Sequence, residues 1–375
     1  MSDSGSGQVP TIGVEEEFLL ADRHSRAAVG AAPTVLKAAA ELLGDQVGGE
    51  LFPTMVETRT VPVHTLAQLR DELLRLRTGV AAAADRADCR AVASGTMVIP
   101  SATRLDVSDH DRYRRMVAEY GPLVHGDQGA GVAGCHIHLG VPDRESGVQL
   151  ANHLRPWLPT LQAIAANSPF HDGRDTGYAG WRTLRWAQFP GAGPTPLCAD
   201  AAEYDALLDR LVDSGLLLDR RMVYWHARPS ERFPTVEIRV CDVNADAGVV
   251  VLLAGLARAL ATVLLAEVAR GARPPQVPDL LLRAAHWRAA RDGLPGAGID
   301  LTTGAPAPAV ELVERLLRRI APGLAAAGDT ATVHSLWTEL RRGGGGAERQ
   351  RAAHRRRYDL RDVVDAVTLP AHPFA

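Results

Sequence analysis

Residues 11–20 read TIGVEEEFLL (Thr11–Leu20), three consecutive glutamates inside an otherwise apolar run. Acidic residues are poor strand formers and costly to bury. The apolar residues around them nevertheless alternate as those of a strand do. Successive strand side chains point to opposite faces. Ile12, Val14, Phe18 and Leu20 therefore share one face, with Glu16 the exception among them, while Gly13, Glu15 and Glu17 share the other.

Three more segments repeat the pattern. In CHIHLGV (residues 135–141), Cys135, Ile137, Leu139 and Val141 fall together and His136 and His138 lie opposite. In TVEIRVCD (residues 235–242), Val236, Ile238 and Val240 oppose Glu237, Arg239 and Cys241. In MVETRT (residues 55–60), Glu57 and Arg59 share a face and Val56 takes the other. Placed in one sheet, these strands give a greasy face and a face of carboxylates, imidazoles and guanidinium groups. Many antiparallel sheets keep one face wet, but such faces are usually filled with Thr, Ser, Lys and mixed charges. Four polar pairs of this kind point to a site. Cys135 reads as core, and Cys241, at a strand end, as core or as support behind the site.

The chemistry of that face is legible. Glu15, Glu17, Glu57 and Glu237 are hard oxygen ligands suited to Mg²⁺ or Mn²⁺, and His136 can add a nitrogen. Arg239 and His138 can hold phosphate oxygens. Carboxylates crowded without cations resist ionisation, so the face implies metal ions. Divalent ions on a polyphosphate are the recurring arrangement for phosphoryl transfer.

Bulk properties agree with this reading. The chain has 375 residues, and length alone suggests two domains. The net charge of −3 argues against a nucleic-acid or anionic-membrane footprint. Lys37 is the single lysine, and no GxxxxGK[ST] occurs, which closes the Walker-type route to nucleotide. The four cysteines form no CxxC pair, against a zinc knuckle or a thioredoxin-type motif. No signal peptide is apparent, and Val249–Leu265, interrupted by Arg258, reads as a buried helix and not a membrane span. A cytoplasmic protein is expected.

Helical spacing predicts helices over about Ala32–Leu43, Leu66–Ala87, Gly147–Ala166 and Ala247–Arg270, with a helical C-terminal third. NSPFHDGRDTGYAGWRTLRWAQFPGAGPTP, from Asn167, reads as a long polar loop, ordered and functional because of its aromatics. Asp242 and Asn244 are expected to cap the helix that follows them. RRGGGG (Arg341–Gly346) reads as a hinge or mobile loop. The basic run at residues 349–357 is then a solvated face, or a segment that closes over nucleotide. Strands and helices do not alternate as βαβ units, which favours an α+β fold with a mostly antiparallel sheet.

Together GVEEEFLL, GELFPTMVETRT, CHIHLGV, NSPF…GRDTGYAGWRT and RPSERFPTVEIRVCD resemble the YbdK-type carboxylate–amine ligases, the glutamate–cysteine ligase type 2 family of the glutamine synthetase-like superfamily. The resemblance implies a curved antiparallel sheet as catalytic face, packed with helices. It also implies one catalytic domain over residues 11–375, after a flexible tail at 1–10. Glu15, Glu17, Glu50, Glu57, His136 and Glu237 match metal ligands. His138, Arg239 and Arg228 match positions at the nucleotide phosphates. Arg182, Arg185 and Asn167 match the substrate-binding loop. Arg182, Arg239 and Glu57 are then the catalytic set. The implied reaction is ATP- and Mg²⁺-dependent amide formation through an acyl phosphate, with L-glutamate and L-cysteine the usual pair, or the same chemistry on another amino acid and amine in a specialised pathway. A homodimer or larger homo-oligomer is implied, with small molecules as the other partners. A guanidino-kinase-like phosphotransferase is the alternative from the same superfamily. A metal-dependent hydrolase would leave the ExR strand unused. A non-catalytic descendant would be expected to have lost acidic ligands that this chain keeps.

Overall fold

Alternation over Thr11–Leu20 builds the central strand of a seven-stranded sheet. The structure, a computed structural model, describes residues 9–125 and 131–371. The first eight residues of the expected tail lie outside the described residues. The strands of the main sheet are β1 (Ile12–Asp22), β2 (Val47–Gly49), β3 (Met55–Arg59), β4 (Cys89–Val92), β5 (Gly134–Gly140), β6 (Ala227–Pro229) and β7 (Thr235–Asp242). Their order is β6–β7–β5–β1–β3–β2, with β4 also on β1, and every pairing is antiparallel. One edge of β1 carries β3, and the other carries β5 and then β4. This is the α+β class expected from the sequence.

The sheet sorts its side chains by the period of two. Ile12, Val14, Ile137, Leu139, Val236 and Ile238 are buried in one apolar cluster with the helix Ala247–Ala269. That helix is long and apolar enough to span a membrane by composition, but 83% of its most apolar window is buried within the fold. Its interior charge, Arg258, is paired with Asp329 and donates to the His64 carbonyl. A buried charge is tolerated in such a place only when partnered in this way. Gly323 lets the helix Ala309–Ala327 approach the same core helix. A Cβ there would lie 2.9 Å from the carbonyl carbon of Ala259, closer than real Cβ atoms come.

Several sequence expectations need correction. The pairing of β7 with β5 shifts register between Ile238 and Cys241. This bulge adds a residue and reverses the alternation, so Cys241 joins Cys135 in the apolar cluster and not Glu237 on the polar face. The helix Ala247–Ala269 is capped by Asp246, which accepts from the Gly248 N–H. Asp242 and Asn244 are used elsewhere, on Asn167 and Ser168 and on the Ala165 carbonyl. The helix expected over 147–166 is two helices, Arg144–Leu154 and Leu158–Ala165, interrupted around Pro156.

The long loop after Asn167 has structure of its own. It begins with a hairpin, Phe170–His171 with Arg174–Asp175. The hairpin turns on Asp172 (φ 52°) and Gly173 (φ 76°), the Asp-Gly pair favoured where two central residues need positive φ. It then forms the helix Trp181–Trp186. Nor is Arg341–Gly346 a mobile hinge. The helices Thr330–Gly343 and Gly346–Arg357 abut, and Gly346 packs so tightly on Asn167 that a Cβ would lie 2.6 Å from its Cγ. None of the residues 349–357 lines the large cavity described next. Arg351 is engaged by Asp175 and Arg357 by Asp362.

Candidate active site

The polar face of the sheet floors a cavity of about 380 Å³. Strand register decides what meets there. Glu15 lies between Arg59 on β3 and His136 on β5, Glu17 lies opposite Glu57, and His138 opposite Glu237. Glu50, in the loop between β2 and β3, joins them at the cavity wall. His136 Nδ1 lies 3.5 Å from Glu15 and 3.4 Å from Glu237, and its Nε2 lies 4.0 Å from Glu17. His138 Nε2 lies 3.4 Å from Glu15, while its Nδ1 is 3.0 Å from Thr235 Oγ1.

Two groups of potential ligand atoms result, each within 4.8 Å: Glu15–His136–Glu237 and Glu17–Glu57–His136. His136 belongs to both. Its two ring nitrogens and His138 Nε2 are buried with no hydrogen-bond partner among the described residues. Unpartnered buried nitrogens are rare and costly. Facing carboxylates, they fit a centre for one or more divalent cations, with oxygen and nitrogen donors from five side chains.

Electrostatics point the same way. Burial pushes the Glu50 carboxyl up to about 8, and the charges of Glu17 and Glu15 add to the effect. Burial also raises Glu57 well above the usual range, with Glu50, Glu15 and Glu17 adding, although Arg59 lies 3.0 Å away. For Glu15 burial acts upward too, but the facing imidazoles of His136 and His138 outweigh it and hold the group low. For Glu237, burial is outweighed by Arg228 and Arg239. Burial lowers His136, and Arg239 adds to that; His138 is raised because Glu15 and Glu237 overcome its burial. With no cation bound, the face thus favours a proton on Glu50 at neutral pH, and the rise at Glu57 acts in the same direction. A cation needs ionised carboxylates and must displace any proton held there. Divalent metal binding at pH 7 is therefore expected to release protons, and affinity to rise with pH until about 8. Titration calorimetry in buffers of different ionisation enthalpy measures the release directly, and a pH-independent heat and affinity would contradict it.

Around this centre stand the arginines. Arg228 donates to Glu237 at 2.9 Å and to the carbonyls of Arg221 and Val223, and Arg239 is paired with the other oxygen of Glu237. Both line the cavity, as does Arg185. Arg182 does not line it. It lies against the start of β5 at Gly134, where a Cβ would come 2.9 Å from its Cζ and 3.0 Å from His136 Nε2. Asn167 is apart from the cavity and fully employed. Its amide donates to the carbonyls of Ala93 and Val243, and its oxygens accept from Gln350.

Glu16 points away from this face, as alternation requires. It accepts a fork from Arg77 at 2.9 and 2.6 Å, and Arg77 also donates to the carbonyls of Asn244 and Ala245. Sequence reasoning missed much of the cavity wall, including Tyr113, Met116, Trp186, Phe189, Tyr224 and Phe233. One signal was available, the four-residue spacing of Arg182 and Trp186, which puts both on one side of a helical turn.

The chain matches the family described as glutamate–cysteine ligase family 2 over residues 11–366. A protein provisionally named glutamate–cysteine ligase 2, from Salinispora arenicola (strain CNS-205), is 45% identical over 364 residues, covering 97% of this chain and 95% of that one. A relative provisionally named glutamate–cysteine ligase 2-2, from Mycobacterium sp. (strain KMS), is 43% identical over 361 residues, covering 96% and 97%. In fold the chain is similar to the glutamate–cysteine ligase of Francisella tularensis, solved in complex with AMP (TM-score 0.71, 10% identity, 97% of this chain and 88% of that). It is also similar to the bifunctional glutathione synthetase of Pasteurella multocida (TM-score 0.70, 15% identity, 96% of this chain and 52% of that). The chain belongs to glutamate–cysteine ligase family 2 and is an ATP-dependent ligase that forms carbon–nitrogen bonds between small molecules.

Proposed function

We propose that this ligase joins an amino-acid carboxylate to an amine through an acyl phosphate, with L-glutamate and L-cysteine as the type pair. The observation that carries the reading is the convergence of Glu15, Glu17, Glu57 and Glu237 on His136, in two groups sharing one imidazole. Mg²⁺ or Mn²⁺ would be held by Glu15, His136 and Glu237 and by Glu17, Glu57 and His136, with Glu50 beside them, and when bound supplies charge neutralisation on the polyphosphate. Arg239 faces the charge that develops on the transferring phosphoryl oxygens. His138 and Arg228 hold the nucleotide phosphates, Arg185 orients the acceptor carboxylate, and Arg182 stands behind Arg239, bonded to its carbonyl. A carboxylate oxygen attacks the γ-phosphorus and the bond to ADP breaks. The amine then attacks the acyl carbon, phosphate departs with the acyl–oxygen bond, and the amine loses a proton. The products are an amide, ADP and phosphate. The active species is a homodimer or a larger homo-oligomer.

The test is phosphate release with ATP and Mg²⁺ over a panel of amino acids and amines, with products read by mass spectrometry. Release that requires a carboxylate, with an amide as product, is expected. A phosphorylated amine without free phosphate would instead identify a guanidino-kinase-like enzyme. No stimulation by any carboxylate would sink the ligase reading.

A further inference from the structure

Two guanidinium groups of this site share one aromatic surface. The Cζ atoms of Arg182 and Arg239 each lie 5.6 Å from the ring centroid of Trp186. Arg182 donates to the Arg239 carbonyl at 3.3 and 3.4 Å, which ties the helix Trp181–Trp186 to β7. Its own N–H donates to Ser168 Oγ, and Ser168 donates to Asp242. Gly134 leaves the space that the guanidinium fills. Trp186 is fixed in turn by Tyr224, ring centroids 4.4 Å apart, and by Phe189 at 6.0 Å.

Both arginines are buried, at 2% and 8% exposure, and neither Nε has a hydrogen-bond partner among the described residues. Arg182 bonds the Arg239 carbonyl and Arg239 is paired with Glu237, and a further contact is needed to fix each guanidinium plane. The indole face can do so, because a cation over an aromatic ring is attracted by the ring quadrupole, most strongly when desolvated. An isolated hydrocarbon of the same size would fill the space without that attraction.

We propose that Trp186 is a positioning residue which holds Arg182 and Arg239 as one unit behind the carboxylate–imidazole centre, so that Arg239, which lines the cavity, keeps its guanidinium turned to anionic oxygens. The role rests on the ligase reading above. It predicts that Trp186 acts on the chemical step more than on nucleotide binding, since Arg239 meets charge that grows towards the transition state.

The test compares Trp186→Phe with Trp186→Leu in the full-length enzyme, using the carboxylate and amine pair that gives the highest phosphate release in wild type. The two replacements are near in volume, but only phenylalanine offers a ring face. Trp186→Leu is expected to lower kcat by about 10²-fold, the cost of misplacing a catalytic group by roughly 1 Å, with KM for ATP unchanged. Trp186→Phe is expected to recover most of the loss. Urea midpoints of both variants establish that they fold alike. Equal kcat values for the two variants, or a loss confined to the KM for ATP, would overturn the proposal. Absence of carboxylate-stimulated release in wild type would instead overturn the ligase reading.

Discussion

Glu15→Gln is expected to cut ATP turnover by about 10²–10³-fold, the size of effect seen when one preorganised charge-stabilising group is removed. The change keeps the shape of the side chain and removes one charge from the group Glu15–His136–Glu237, where the carboxylate stands 3.5 Å from His136 and 3.4 Å from His138. On β1 its neighbours on that face are Gly13, which has no side chain, and Glu17, which belongs to the other group of ligand atoms. The divalent metal concentration for half-activity should rise in parallel. Steady-state turnover across a Mg²⁺ titration checks both, with circular dichroism to establish folding. A variant with wild-type turnover at ordinary Mg²⁺ concentrations would remove Glu15 from the site.

One residue along, the expected outcome is of another kind. Arg77→Met should lower the unfolding free energy by about 3–5 kcal/mol, because it strands a carboxylate in the interior. Glu16 is fully buried, and its fork to Arg77 joins β1 to the helix Leu66–Arg86 and, through two carbonyls, to the chain leaving β7. The double change Glu16→Met with Arg77→Met should recover much of the loss, since well-packed hydrophobic residues often replace a buried pair at little cost. Urea unfolding of the single and double variants measures the difference. If the double variant is no more stable than Arg77→Met, the stranded charge is not the cause. Three adjacent glutamates thus divide into a pair that lines the cavity and one between them that is bound to Arg77 in the interior.

That division was visible in the sequence, because the period of two is local and strong. Glu15, Glu17, His136, His138, Glu57 and Glu237 all lie on the face that alternation assigned them. Where the reading went astray, the cause was a long-range contact or a single-residue irregularity. Nothing in VCD marks the bulge that turns Cys241 into the core. Asn167 stands beside the functional loop in sequence, yet Gln350, more than 180 residues later, claims its side chain. RRGGGG has the composition of a hinge, but its last glycine is there because nothing larger fits against Asn167. The Asp-Gly turn at 172–173 was legible as a hairpin signal. It was passed over because the surrounding polar residues read as loop.

The contact between Gln350 and Asn167 has a consequence for how the enzyme comes into being. The loop that carries Arg182 is anchored at its start by Asn167, whose partners come from residues 93, 242, 243 and 350. A chain emerging from the ribosome can pair β1 with β3, β4 and β5 early, since all lie within the first 140 residues. The anchoring of the loop that carries Arg182 must wait for the last tenth of the sequence. The group Glu17–Glu57–His136 can thus assemble from the first 140 residues, whereas Glu15–His136–Glu237 waits for β7 and the anchored loop for Gln350. A chain lacking Gln350 would keep Arg239 and Arg228 on Glu237 but lose one of the bonds that hold the start of the loop carrying Arg182.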